Sequence, residues 1–428
     1  MDFRLFKLIV PQSRPPFVVH LYSLGICFFS SLVSTFVYGQ TQNSYPMLMS
    51  LKPVAVQTGQ ATECEVSARY NLFSATKVFV SGEGVTGEVV PPEKREGDKP
   101  PDPMAAKPNV PKIKLRFTVA SDAVPGPRDF RVATPQGAST VGQLVVVRDP
   151  IVSETGDNNA PAKAQPITLP ATVCGAIEAA EDVDCFKFNV EASSSLVFRV
   201  WAMRLEDRIH DLQEHVDPIL TIRNATGATV AACDNYFSAD PLLYHKFEQA
   251  GEYTLEVRDV RYKGNADWVY AIEIYNRPFI TQTLPLAVTP GADSKLSLVG
   301  YNLPADATAT ITIPPGSPLG LRWLSPTVGG QPTNSVALLV TALPAAVKSP
   351  LNPPAPAGPA TPPAGAAPPA TGQQAAPNTA APLPPAQPIT VPGVVSGRIE
   401  KPGDVDRYSF EAKAGDKLSF EVIARRAE

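Results

Sequence analysis

The chain is predicted to be all-β, a set of tandem β-sandwiches with a Pro/Ala-rich linker, and three observations lead there. Apolar side chains alternate with polar neighbours at period two, as at Phe186, Phe188 and Val190 and again at Leu196, Phe198, Val200 and Ala202. That is strand spacing with one buried face. Short runs rich in Val, Phe and Thr stand between Gly and Pro turns. The third observation is a repeat: residues 165–206 and 387–428 match without a gap, with 20 of 42 positions identical.

Composition narrows the function classes. Proline supplies 47 of the 428 residues, charged residues are 18% and the net charge is −4, which argues against a nucleic-acid partner. A hydrophobic fraction of 44% is enough for packed cores, and a chain of this length divides into about three domains. Four His and five Cys are few for His-based catalysis or a Cys-rich metal cluster.

Taken in order, residues 1–16 carry Arg4, Lys7 and Arg14, and Phe17 to Gly39 is almost continuously apolar, the order of an export signal. Residues 1–39 are therefore a signal peptide cleaved after Gly39 or, since about 20 apolar residues span a bilayer, an N-terminal anchor. Either places the rest of the chain outside the cytoplasm, and any membrane contact would run through an uncleaved 1–39. Residues 45–148 hold Glu63 to Ala68, Lys77 to Val80, Ile113 to Val119, Phe130 to Ala133 and Gln143 to Val147, a sandwich pattern of about 100 residues, with a solvated Pro-rich loop from Pro91 to Pro111. Residues 154–276 form a second sandwich type, containing the first copy of the long repeat. Residues 277–344 are a shorter version of the first type: Pro46 to Gly59 resembles Pro278 to Gly291, and both continue to Tyr-Asn-Leu, at 70–72 and 301–303. Residues 345–386 collapse to Pro, Ala, Gly, Thr and Gln and read as an extended linker.

Residues 387–428 begin the second sandwich type again and stop at the counterpart of Glu206. Tyr408, Phe410, Leu418, Phe420 and Val422 then share one face with nothing in the chain to cover it, so this copy is expected to be truncated and open. Positions between the apolar ones, such as Arg199 in the first copy and Glu421 in the second, are expected to face water.

Residues 154–275 resemble the bacterial pre-peptidase C-terminal (PPC) domain, through Gly175-Ala-Ile177, Asp182-Val-Asp184-Cys-Phe186-Lys-Phe188, Asp217-Pro-Ile-Leu220, Asp234-Asn235 and Gly251-Glu-Tyr253-Thr-Leu255-Glu-Val257. Residues 393–428 match only the first third of that pattern. The modules at 45–148 and 277–344 are similar to the Ig-like IPT/TIG sandwich, through Lys52-Pro53, Gly59 and Tyr70-Asn71-Leu72. The resemblance implies a jelly-roll-like fold for the PPC-like modules and, from the collagenase members, a calcium site built by an acidic linker and an Asp-x-x-Asp pair. Carried over, the ligand set is Glu154, Asp157, Glu181 and Asp184; it is depleted, since Gly156 stands where a second Glu would be and Asn159 where the last Asp would be.

Chemistry is otherwise sparse. No HExxH, GxSxG or Walker-type sequence occurs. The densest polar run is Arg204 to Asp217, where His210 and His215 are five apart, off the spacing of four that a helical zinc pair needs. Asp217, Asp234, Asn235, Asp240 and Asp259 are ordinarily turn formers. Tyr236-Phe237 and Tyr262 lie in loop-like surroundings and are candidates for a contact patch. Cys174 and Cys185 flank one turn and are replaced together in the second copy, by Ser396 and Arg407, which suggests a disulfide; two independent buried thiols are the alternative. The expectation is an exported, non-enzymatic adhesion, envelope-scaffold or binding array with a protein or carbohydrate ligand at the cell surface. The alternative is the non-catalytic portion of a larger secreted peptidase or other hydrolase whose catalytic domain lies beyond residue 428.

Overall fold

The computed structural model describes residues 45–92, 108–206, 209, 212–348, 385–401 and 404–424. The export segment 1–39, most of the loop from Pro91 to Pro111, residues 349–384 of the linker, and His210 lie outside the described residues. Those that are described form tandem β-sandwiches, and the only helices among them are two short turns, Pro161–Lys163 and Met203–Glu206.

In the first sandwich, Leu48–Lys52, Ala61–Ala68, Lys112–Val119 and Val85–Val89 form one sheet, and Ala55–Gln57, Gly142–Val147, Gly126–Thr134 and Lys77–Val80 form the other. Val66, Leu115, Phe117, Phe130, Val132 and Leu144 close the core between them, with the Phe117 and Phe130 rings edge to face at 5.5 Å. The chain changes sheet after Lys52, at a cis peptide bond to Pro53. The third sandwich repeats this. Phe279–Leu284 lies in one sheet, Leu284-Pro285 is cis, and Ala287–Val288 lies in the other. The faint sequence similarity between these modules thus marks a shared topology.

The second sandwich stacks two five-stranded sheets. One runs Ile151–Ser153, Ala171–Ala176, Val269–Tyr275, Ser195–Trp201, Leu242–Lys246; the other runs Gln165–Pro166, Asp184–Val190, Gly251–Asp259, Pro218–Asn224, Thr229–Cys233. Phe186, Phe188, Phe198, Leu220, Leu255, Tyr270 and Ile272 lie in the core between the sheets, at the parity that the period-two pattern assigns.

Two stretches break the alternation and explain how the modules join. Leu144 to Val147 and all of Val269–Tyr275 are buried throughout, because their second faces are covered by a neighbouring module, as in strands buried on both sides of a sheet. Val54, Ala55, Val145 and Val147 of the first sandwich pack on Cys174, Ala176, Trp201, Leu205, Val269 and Ala271 of the second. Beyond that patch, Val197, Leu242 and Tyr275 pack on Phe279 of the third, and the Tyr244 and Tyr301 rings stack at 4.6 Å. Arg199 is corrected by this arrangement: it is 4% exposed, enclosed between modules rather than facing water.

The second copy of the repeat keeps the pairing register of the first as far as it goes. Gln387 pairs with Tyr408 and Pro388 with Ser409 in parallel, matching Gln165 with Phe186 and Pro166 with Lys187. Val394–Ser396 takes Ala345–Val347 as its parallel partner, as Thr172 to Cys174 take Ile151–Ser153. Strand pairing therefore reaches Ala345–Val347, residues whose composition belongs to the linker, and the Pro/Ala-rich run sits between two strands of one unit.

Candidate functional site

Of the four acidic residues the PPC resemblance points to, the fold brings two together. Glu154 follows the edge strand Ile151–Ser153 and Asp184 opens the strand Asp184–Val190 on the opposite sheet; their carboxyls lie close enough to perturb each other. Tyr270 donates its hydroxyl to Asp184 Oδ2 at 2.8 Å, and the Ala176 N–H donates to Glu154 Oε2 at 3.1 Å. With its amide oriented by the network, buried Asn158 donates to Glu154 Oε1 at 3.3 Å and Asp184 Oδ1 at 3.2 Å. Burial, then the charge of Glu154, holds Asp184 far above the usual carboxylate range, and burial raises Glu154 as well.

The other two are elsewhere. Asp157 is exposed and paired with Lys163 at 2.8 Å, and Glu181 is exposed in a left-handed turn at φ 64. Calcium takes six to eight oxygens, whereas only Glu154 and Asp184 of the four come together, and their oxygens already accept from Tyr270, Asn158 and the Ala176 N–H. They do not fit the ion, and among the described residues no group of three or more His, Cys, Asp or Glu is arranged to hold a metal. Asp182, beside them, ties its turn: it accepts from the Glu178 N–H at 2.8 Å and from Asn159 Nδ2 at 2.9 Å.

The disulfide expectation is corrected. Cys174 and Cys185 are both free thiols. They lie on different sheets of the second sandwich, each one position away from a core residue, Val173 and Phe186. Both therefore project outward, Cys174 into the seam with the first sandwich, on faces separated by two stacked sheets about 10 Å apart. Burial pushes each thiol up to about 12.

The described residues of the polar run from Arg204 to Asp217 anchor loops. Fully buried Asp240 accepts from the Met203 N–H at 2.7 Å and from Arg204 Nε at 2.7 Å, and Arg204 also donates to the Val200 carbonyl at 2.8 Å. Asp259 accepts from the Asp217 N–H at 2.9 Å, the Arg261 N–H at 2.8 Å and Arg261 Nη2 at 2.9 Å, which holds its carboxyl below the usual range despite burial. Buried Glu206 accepts from the Val216 N–H at 3.0 Å and faces His215 Nδ1 at 3.3 Å. Its other oxygen has no partner, and burial lifts the carboxyl to about 9.

Of the loop aromatics, Tyr236 and Tyr262 are 43% and 49% exposed. The Tyr236 ring meets Phe237 edge on at 4.7 Å, and the Arg258 guanidinium covers the Tyr262 ring at 4.1 Å.

A site the sequence reading missed lies at the seam of the second and third sandwiches, beside the second repeat copy. A cavity of about 330 Å³ is lined there by apolar Ile280, Leu284, Val299 and Val336, by Trp323, and by Arg199 and Arg398. The signal for the seam is legible afterwards: Val269–Tyr275 is a strand with no solvent parity, and Arg199 is a charge among the apolar residues Leu196 to Trp201.

No protein-family model matches the chain, and no curated protein matches it. Among solved structures it is similar to the pre-peptidase C-terminal domain of a collagenase from Bacillus anthracis, at 18% identity over 27% of this chain and 99% of that one, with a TM-score of 0.21. It is also similar to tripeptidyl peptidase 2, at 8% identity over 67% of this chain and 24% of that one, TM-score 0.19. A third is the Yersinia pseudotuberculosis adhesin InvE, at 8% identity over 65% of this chain and 71% of that one, TM-score 0.14.

Proposed function

We propose that the chain is an exported, non-catalytic array of β-sandwiches that presents a surface to a protein or carbohydrate partner at the cell envelope. The observation that carries this reading is how the polar side chains are spent. Asp240, Asp259, Arg204 and the Glu154–Asp184 pair each terminate in hydrogen bonds that hold a loop or strand end, which leaves them unavailable as an acid, base and nucleophile set. Apolar seams join the sandwiches, so loops at their ends are carried on a stiff frame, and exposed Tyr236 and Tyr262 are of the type enriched at protein and sugar contacts. The test is to expose purified protein lacking residues 1–39 to peptide, ester and glycoside substrates and, in parallel, to immobilised envelope proteins and glycans. Saturable binding that weakens in a Tyr236→Ala/Tyr262→Ala double variant, without turnover, is expected. Turnover abolished by His215→Ala would replace this reading with an enzymatic one.

A further inference from the structure

We propose that the cavity between the second and third sandwiches binds a compact amphiphilic carboxylate, its carboxylate on Arg199 and its apolar body against Ile280, Leu284, Val299, Trp323 and Val336. The proposal stands independently of the surface-binding reading above.

The central observation is a buried cation short of acceptors. Arg199 is 4% exposed and lines the cavity, yet its Nε has no hydrogen-bond partner. The nearest carboxylate oxygen, Glu273 Oε1, is 3.9 Å from Nη1, outside hydrogen-bond reach, and it already accepts from Trp201 Nε1 at 2.9 Å. The Trp201, Phe237 and Phe279 rings stand 4.2, 5.5 and 5.6 Å from the guanidinium. Ring faces soften the burial of a cation but supply no lone pair along its N–H directions. A desolvated guanidinium is costly until a planar anion meets it, and a carboxylate matches its fork.

The local charge balance points the same way. Asp149 is taken by Arg277 through two hydrogen bonds of 2.7 Å, and Asp240 is taken by Arg204. That leaves Glu273 between Arg199 and Arg148, and Arg148 Nε is likewise without an acceptor. Four arginines thus face three carboxylates, a deficit of one negative charge. At the cavity itself, exposed Arg398 adds a second cation, donating to Gln282 Oε1 at 3.1 Å and loosely paired with Glu400 Oε1 at 3.6 Å, and the buried Ser335 hydroxyl has no partner. A volume of about 330 Å³ is at the small end of ligand pockets, which favours a single short apolar body.

Octanoate is the probe, with octanol and octylamine as neutral and cationic controls. Isothermal titration of the chain lacking residues 1–39 is expected to give saturable one-to-one binding of octanoate, weakened about tenfold or more in octanol, the worth of a charge-assisted hydrogen bond. Arg199→Gln is expected to abolish the preference for octanoate over octanol, and Arg398→Gln, at an exposed position, to reduce affinity by a few-fold with the fold intact. Placement is read separately: 8-bromooctanoate should quench tryptophan fluorescence, and Trp323→Phe should remove most of that quenching. Equal affinity for octanoate and octanol, binding unchanged in Arg398→Gln, or quenching that survives Trp323→Phe would each overturn the proposal.

Discussion

In the first copy of the repeated unit Phe188 and Phe198 are 1% and 0% exposed, while their counterparts in the second, Phe410 and Phe420, are 38% and 72% exposed. The local sequences are alike at these positions, and both copies open with the same parallel register. What differs is the rest of the sheet. In the first copy Gly251–Asp259 pairs along the whole of Asp184–Val190, and Val269–Tyr275 and Leu242–Lys246 flank Ser195–Trp201. In the second, Tyr408–Ser409 is a two-residue strand, and residues 411–424 form none. Alternating sequence thus prepares a strand but does not make one, because its hydrogen bonds and the cover over its apolar face come from residues far away in the chain.

The largest test of that comparison reads the two copies in one experiment. Amide exchange at Phe188 and Phe198 should be slower than at Phe410 and Phe420 by roughly a thousandfold, as expected when one segment belongs to a cooperative core and the other pairs through two residues only. Equal protection at the two pairs of positions would mean that strand pairing is not what separates the copies. Next in size is a matched pair of truncations. Phe198→Ala should cost about 3–5 kcal/mol in urea unfolding, the range for a buried aromatic, whereas Phe420→Ala should change stability by less than about 0.5 kcal/mol.

A glycine shared by both copies sharpens the contrast at one atom. A Cβ on Gly175 would stand 2.3 Å from the Tyr270 hydroxyl and 2.4 Å from Glu154 Oε2, while one on Gly397 would meet the Tyr408 hydroxyl at 3.2 Å. Gly175→Ala should therefore displace the Tyr270–Asp184–Glu154 network and cost about 2 kcal/mol, within the range for overpacking. Gly397→Ala should cost less than about 0.5 kcal/mol. Thermal unfolding of the two variants side by side decides it, and equal losses would mean that the network adds nothing to the first copy's stability.

These contrasts mark what the sequence could and could not convey. Period-two alternation placed Phe186, Phe188, Phe198 and Val200 in a core correctly, since the pleat alone dictates parity. It could not say which outward positions become inward when a second module docks, so Arg199 read as solvated and Cys174 as a disulfide partner. Both lie on the face of the second sandwich that its neighbours cover. The calcium set divided for a related reason: Glu154 and Asp184 approach across two sheets, whereas Asp157 and Glu181 sit on turns whose direction spacing does not fix. The seam cavity is assembled from residues far apart in the chain, Arg199, Ile280, Val336 and Arg398, and the one hint in the sequence is Arg199, a charge in a largely apolar strand.

Burial in the first copy has an electrostatic consequence at its end. Glu206 ends the first repeated stretch, and burial raises its carboxyl from the ordinary 4.5 to about 9. With the folded value above the unfolded one, the folded state holds the proton more tightly, so the contribution to stability is fully present below about 4.5 and is lost as pH rises toward 9. At pH 7 to 8 the group is therefore a liability. Glu206→Gln keeps an acceptor for the Val216 N–H and removes the ionisation. It should raise stability by about 1–2 kcal/mol at pH 8, discounted from the full shift for local relaxation, with the gain shrinking to near zero at pH 4.5. Urea titrations of wild type and variant at the two pH values check this. A gain of equal size at both would assign the effect to packing, and no gain at pH 8 would mean that the Glu206 carboxylate ionises in the folded state without cost.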